Sequence, residues 1–367
     1  MLKAKTMNQK ESNLFCAVTK NIFLKVLWVL HYLSWAYRYI RLILGFNTLR
    51  DIKILSIEFC SICNLQCKYC FIEKKERSRY LDINLYEKLI KEVSENPKYK
   101  IQTMEWPISG EFLIYPEHKQ VVEITKRYME RYPHFRPHVI LNENMVLMNK
   151  EKIDLILKSG VVKQIICSID GHDRESFEEM RPPAKFHVVF KNMRLLFERN
   201  KELGNPVFIQ INNGRDGDSW GKEFSAEMKE ILRLADGVTF WKPKYWNESF
   251  NKSDKQFFPA KGFCTFVFNN VTLSSSGLVS KCCMDLKGST GYVDLREQTL
   301  EFIWHSQVRK QFLTAMFQNK RHQLDGCRTC SITCTNNDNR YSNIFKVLKR
   351  KFPLLTGQGN FYSLLKD

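Results

Sequence analysis

The sequence predicts an α/β fold on a parallel sheet, either doubly wound or curled into an open barrel. Three observations carry that expectation. Short runs rich in Val, Ile, Phe and Trp recur six times, the gaps between them hold amphipathic patterns of helical period, and 367 residues suffice for one large domain and a small one.

Strands are expected over 53–59, 103–108, 138–142, 162–169, 207–212 and 238–241, where β-branched and aromatic residues alternate or run together. Helices are expected near 82–95, 117–131, 149–159, 186–203 and 222–235. Of these, "LDINLYEKLIKEV" and "FHVVFKNMRLLFERNKEL" show the clearest period. A helix in each gap requires right-handed crossovers between strands that all point one way. The active site of such a sheet lies at the carboxyl ends of its strands.

Charge is uneven. The chain has 57 Lys and Arg against 39 Asp and Glu, a net +18. Residues 1–50 hold eight of these cations and only Glu11, and residues 335–367 hold six against two acids. Basic ends favour an anionic surface as partner, and no aromatic-and-basic repeat supports nucleic acid. The segment 21–46 is apolar but broken by Lys25, His31, Arg38 and Arg41, so it has no run long enough to span a bilayer. His31, Ser34, Arg38 and Arg41 fall on one stripe of an amphipathic helix, which would lie in a membrane interface or pack on its own domain. Without a cleavage site the expected location is cytoplasmic, with peripheral membrane contact through 21–46.

The cysteines locate the chemistry. "IEFCSICNLQCKYCF" (57–71) sets Cys60, Cys63, Cys67 and Cys70 directly behind the first strand, and Cys264, Cys282, Cys283, Cys327, Cys330 and Cys334 gather after the last. Tight groups separated by a cysteine-poor stretch read as metal sites in a reducing compartment, not as disulfides. Cys167 in "QIICSID" reads as a small buried hydrophobe. A zinc site would pair Cys60 with Cys63 and Cys67 with Cys70, but the short spacer between these knuckles suits a tetrahedron poorly.

Cys63, Cys67 and Cys70 have the form CxxxCxxC with Tyr69 before the last, which resembles the cluster-binding loop of the radical S-adenosylmethionine (SAM) superfamily. The resemblance implies a partial (β/α)6 barrel, with these three residues both catalytic and metal-binding. They would hold a [4Fe–4S] cluster with one open iron, where SAM binds and is cleaved to a hydrogen-abstracting 5′-deoxyadenosyl radical. Further elements agree. Ser109, Gly110 and Glu111 in "ISGEFLIYP" are similar to the family's Gly-Gly-Glu element, with serine for the first glycine; Asn142 in "LNEN" is similar to its Thr-Asn-Gly. Together with Tyr69, Ser168 and Asp170 of "SIDG", and Arg181 beyond it, these are the implied SAM contacts.

"CTFVFNNVTLSSSGLVSKC" reads as a β-hairpin; with "LEFIWHSQVRKQF", its Trp304 and the last three cysteines, it resembles the SPASM/twitch extension of that superfamily. This implies one auxiliary [4Fe–4S] cluster on Cys264, Cys282, Cys327 and Cys330, with Cys283 and Cys334 spare; zinc on the same four is the alternative. The expected organisation is an amphipathic basic segment (1–50), the barrel (51–245), the cluster-bearing extension (246–334) and a basic tail (335–367).

A cluster closed by four thiolates suits electron transfer, so dehydrogenation is the expected reaction. The substrate would be a sugar-like or other small or lipid-linked alcohol, because the first 50 residues do not look like a peptide-leader module. Modification of a peptide or protein side chain is the alternative, and a non-enzymatic iron–sulfur or zinc module is the reading from another class. The resemblance also implies a low-potential electron donor such as flavodoxin or ferredoxin. Asp170, Asn212, Lys242 and Arg181 near strand ends are candidates for the general base.

Overall fold

The computed structural model describes residues 48–70, 72, 78–214, 222–241, 264, 266–280, 282, 283, 285, 293–318, 320–324 and 327, and toward the amino end 33, 36, 37, 39–42 and 44. Six strands neighbour one another in chain order: β1 (Ile54–Ile57), β2 (Thr103–Trp106), β3 (His138–Glu143), β4 (Val162–Ser168), β5 (Phe208–Gly214) and β6 (Gly237–Trp241). Every adjacent pair is parallel. The crossovers hold α1 (Ile83–Glu95), α2 (His118–Arg131), α3 (Lys150–Ser159), α4 (Arg174–Met180), α5 (Phe186–Glu202) and α6 (Ala226–Leu234). This is the expected partial barrel, with α4 added after β4.

Local chemistry sets the boundaries. Asp82, Asn149 and Ser225 each accept a hydrogen bond from a first-turn N–H of α1, α3 and α6. Gly160 at φ +70 ends α3. Along the strands, Leu55 and Ile57, Val139 and Leu141, Ile165 and Cys167, and Ile209 and Ile211 are buried in one core with Leu89, Val121, Ile153, Val189 and Ile231 of the helices. Alternation then turns Ser56, Glu105, Asn142, Ser168, Gln210 and Asn212 to the other, concave face. Cys167 is the buried hydrophobe expected. Past β1, Phe59 meets the Tyr86 and Phe112 rings at 5.2 Å and the Trp106 ring at 5.7 Å, all edge-on.

The expected hairpin lies between Cys264 and Cys282. After the single turn α7 (Phe266–Asn269), β7 (Asn270–Leu273) and β8 (Leu278–Ser280) pair antiparallel around Gly277 at φ +85. It extends the barrel sheet: β7 runs parallel to β1, from Ile54↔Asn270 to Ile57↔Leu273, and β9 (Val293–Asp294) adds to β8. Then come α8 (Leu300–His305) and α9 (Gln307–Phe317). Trp304 donates from Nε1 to the Thr48 carbonyl (3.0 Å), and the Arg309 guanidinium lies 3.3 Å from its ring centroid.

These elements belong to one compact unit, 48–334 with 360–367; residues 1–47 and 335–359 form another. In that second unit 33, 36, 37 and 39–42 have helical backbone. Of the polar stripe expected there, His31, Ser34 and Arg38 lie outside the described residues, and Arg41 is half-buried. Among the described residues no helix is long and apolar enough to cross a membrane.

Candidate active site

Cys63, Cys67 and Cys70 lie on a loop that leaves the carboxyl end of β1. Its base is clasped: Leu81 N–H donates to the Phe59 carbonyl (2.8 Å), Ser61 N–H to the Arg79 carbonyl (3.0 Å), and the Ser61 hydroxyl accepts from the N–H groups of Ser78 and Arg79 (3.1 Å each). Three other strand ends hold it from above. Beyond β2, Glu111 N–H donates to the Ile62 carbonyl (2.9 Å), and Gly110 at φ +69 approaches so closely that a Cβ there would stand 2.1 Å from the Cys60 oxygen. Beyond β3, Asn144 Nδ2 donates to Asn64 Oδ1 (2.8 Å) and lies 3.9 Å from Cys63 Sγ. Beyond β4, Gln66 N–H reaches the Pro182 carbonyl (2.6 Å), Lys68 N–H the Met180 carbonyl (3.0 Å), and Lys68 pairs with Glu179.

Tyr69, Asp170 and Arg181 complete this last contact. The Tyr69 hydroxyl donates to Asp170 Oδ2 (2.6 Å), Arg181 Nε donates to the same oxygen (2.5 Å), Arg181 Nη2 donates to the Tyr69 oxygen (2.5 Å), and Gly214 N–H donates to Asp170 Oδ1 (2.7 Å). Asp170 and Arg181 are buried. All three are expected SAM contacts, and Asp170 and Arg181 are also candidate bases; here Asp170, with a bond to each oxygen, ties the cysteine loop to β4 and β5.

The remaining expected residues divide. Ser109 turns its hydroxyl to buried Glu58, whose other oxygen accepts from the Ser275 N–H and hydroxyl (2.8 Å each), so the serine ties β2 to the hairpin turn. Glu111 is buried against Glu143, and the two carboxyls share a hydrogen bond when one of them is protonated. Burial, then the charge of Glu111, pushes the Glu143 carboxyl well above the usual range; burial raises Glu111 as well. Asn142 Nδ2 donates to the Pro107 carbonyl (3.2 Å). Cys60 is fully buried, donates to the Ile62 and Glu111 carbonyls (3.4 and 3.3 Å), and is pushed up to about 11 by burial. A zinc arrangement that uses Cys60 would have to break both of these hydrogen bonds.

Ser168, Asn212 and Thr239 stand side by side on the concave face, in register across β4, β5 and β6. A relay beneath them fixes their orientation. Gln164 Nε2 donates to Gln210 Oε1 (2.8 Å), and Gln210 Nε2 donates to Asn212 Oδ1 (2.8 Å) and Thr239 Oγ1 (3.0 Å). With those oxygens already accepting, Asn212 Nδ2 and the Thr239 hydroxyl are left to donate, next to the half-exposed Ser168 hydroxyl. Lys242 lies outside the described residues.

In the second group Cys264 is buried and Cys282, Cys283 and Cys327 are half-buried; Cys330 and Cys334 lie outside the described residues. Because Asn270 pairs with Ile54, Cys264 and Cys282 flank the end of the hairpin that meets the start of β1, whereas Cys63, Cys67 and Cys70 follow its finish. Cys264 and Cys282 therefore lie toward the start of the barrel's first strand and Cys63, Cys67 and Cys70 beyond its finish, the strand itself spanning about 10 Å at about 3.3 Å per residue.

Among the described residues no three His, Cys, Asp or Glu side chains converge as the ligands of one ion would. A cluster that takes each thiolate on a different iron asks for no such common centre.

A partial barrel with a cysteine loop over its first strand and a cysteine-flanked hairpin extending its sheet defines an iron–sulfur enzyme class. The Radical SAM superfamily model matches residues 57–216 and the SPASM model, described as an iron-sulfur cluster-binding domain, matches 264–331. The chain belongs to the radical SAM superfamily and carries a C-terminal SPASM domain. No curated relative matches its sequence.

Similar solved structures include anSMEcpe with bound AdoMet (13% identity, 86% of this chain and 98% of that one, TM-score 0.58) and SuiB of Streptococcus suis bound to precursor peptide SuiA (12%, 73% and 67%, 0.56). BtrN in complex with AdoMet and 2-DOIA is another (18%, 76% and 93%, 0.49). At these identities the likeness is one of fold.

The family implies [4Fe–4S] clusters and SAM, and the residues at the first site fit. Three soft donors share one pinned, partly exposed loop, and Leu65 N–H (3.4 Å) and the Asn144 amide point at the Cys63 sulfur as donors that favour a thiolate. Sequence reasoning missed Asn144, Glu58 and Gln210. Period two along "LNEN" would have placed Asn144 on the same face as Asn142.

Proposed function

We propose that this enzyme dehydrogenates a small, oxygen-rich alcohol of sugar-like type, free or lipid-linked. The observation that carries the reading is the row of hydroxyl and amide donors from Ser168 to Thr239 on the concave face. When bound, a cluster with SAM on Cys63, Cys67 and Cys70 supplies hydrogen-atom abstraction, and an auxiliary cluster on Cys264, Cys282, Cys327 and Cys330 supplies an electron acceptor, so CH–OH loses a hydrogen atom, a proton and an electron to become a carbonyl. The protein's part is positioning. The Tyr69–Asp170–Arg181 clamp holds the cysteine loop over the mouth, the Gly110 backbone, Asn142 and Ser168 lie where SAM would meet the strand ends, and Asn212 and Thr239 offer donors to substrate oxygens. We place the barrel at 51–245 and the cluster extension at 246–334, with a flavodoxin- or ferredoxin-like donor as reductant.

The test is anaerobic reconstitution, followed by assay of 5′-deoxyadenosine and of carbonyl product across a panel of sugar and cyclitol alcohols. Parent protein should cleave SAM, and the Cys63→Ala/Cys67→Ala/Cys70→Ala variant should not. Replacing Cys264, Cys282, Cys327 and Cys330 by alanine should leave 5′-deoxyadenosine formation without matching carbonyl. Cleavage stimulated by peptides and by no alcohol would move the assignment to side-chain modification.

A further inference from the structure

The unit formed by 1–47 and 335–359 has a surface that cluster chemistry does not explain. Four large apolar side chains are exposed there: Leu33 by 58%, Tyr37 by 59%, Ile40 by 55% and Leu44 by 59%. Their spacing of four, three and four residues puts them on one face, and the Leu44 N–H bond to the Ile40 carbonyl (2.9 Å) carries the helical pattern to the last of them. Leu42, half a turn away from that face, is buried at 5%. The segment thus has two apolar sides, one covered and one bare. A soluble surface does not usually hold a continuous row of this kind without a partner.

Charge says what the partner is. This unit contains twelve Lys and Arg against two acids, a net +10, so about a fifth of the chain carries more than half of its net +18. The excess comes from two segments at opposite ends of the sequence that belong to one unit. Within it the Arg41 guanidinium lies 5.6 Å from the Tyr37 ring centroid, a cation held beside an aromatic of the bare stripe. An apolar strip on a unit of such positive charge matches an anionic bilayer surface: the strip would enter the acyl boundary and the cations would stay at the headgroups. A second copy of this chain would bring the same positive charge and repel.

We propose that this unit docks the enzyme on anionic lipid through Leu33, Tyr37, Ile40 and Leu44. The inference is independent of the substrate assigned above. It is tested by flotation of the reconstituted full-length protein with phosphatidylcholine vesicles, with and without phosphatidylglycerol, over a salt series. Protein should float with the anionic vesicles alone and release as salt rises. Leu33→Ser/Ile40→Ser/Leu44→Ser should weaken that binding on the order of tenfold or more, and because these side chains are already exposed its melting profile should match the parent.

Three results overturn the proposal: no flotation with anionic vesicles at low salt, equal binding by parent and triple variant, or a parent dimer that the triple variant converts to monomer. If the triple variant misfolds, Tyr37→Ser and Leu44→Ser singly replace it, under the same criterion of reduced flotation.

Discussion

Replacing Gly110 by alanine tests whether the cysteine loop is held by close backbone approach. Two costs combine at this position. At φ +69 any residue with a Cβ carries left-handed strain of about 1–2 kcal/mol. In addition, the new Cβ would stand 2.1 Å from the Cys60 oxygen and 2.8 Å from that of Ile62, where ordinary contact begins at 3.4 Å, and both obstacles are backbone. The loop must therefore lift, and with it goes the Glu111 N–H bond to Ile62, for about 1 kcal/mol or more with its groups left buried. Gly160→Ala is the control: its φ is +70 and nothing lies within 4 Å of its added Cβ, so it bears the strain alone. Urea unfolding of the two apo variants should show Gly110→Ala the less stable by about 1–3 kcal/mol, and iron per chain after reconstitution should fall for Gly110→Ala only. Equal stability and equal iron in the two variants would refute the argument.

Two further perturbations probe the same frame. Arg181→Met leaves Asp170 buried without its cation and should cost about 3–5 kcal/mol in urea unfolding; a loss under about 1 kcal/mol would show that the pair does not hold the loop. The folded state keeps a proton on Glu143 that the unfolded chain releases, because burial and Glu111 raise its carboxyl. Stability from this group is present below the ordinary glutamate range and declines as pH rises above it, by up to about 1.4 kcal/mol per pH unit. Glu143→Gln should flatten that decline and be the more stable form at neutral pH, an expectation that parallel stability–pH curves would overturn.

The alternation of apolar runs and helical patterns in the sequence located all six barrel strands and five of their helices, because each element carries its own period. The hairpin was legible from its glycine, yet its attachment to β1 was not: pairing between residues 54 and 270 leaves no mark in either segment alone. The cysteine spacing identified the site. What spacing could not give was the partnering of the polar residues around it. Asp170 and Arg181 look alike in the sequence whether or not they pair, and only the structure shows their burial and 2.5 Å contact. Ser109 reads as a weakened glycine until Glu58 is found beside it.

The loop that bears Cys63, Cys67 and Cys70 is tied to positions as remote in sequence as Glu111, Asn144, Asp170 and Pro182. The ties to Asp170 and Pro182 cannot form until β4 has joined the sheet, so the loop takes its full shape late in folding. A loop held in this way by protein contacts should keep its shape without iron, unlike a zinc finger, which collapses around its metal; loss of the cluster would then be repaired by refilling and not by refolding.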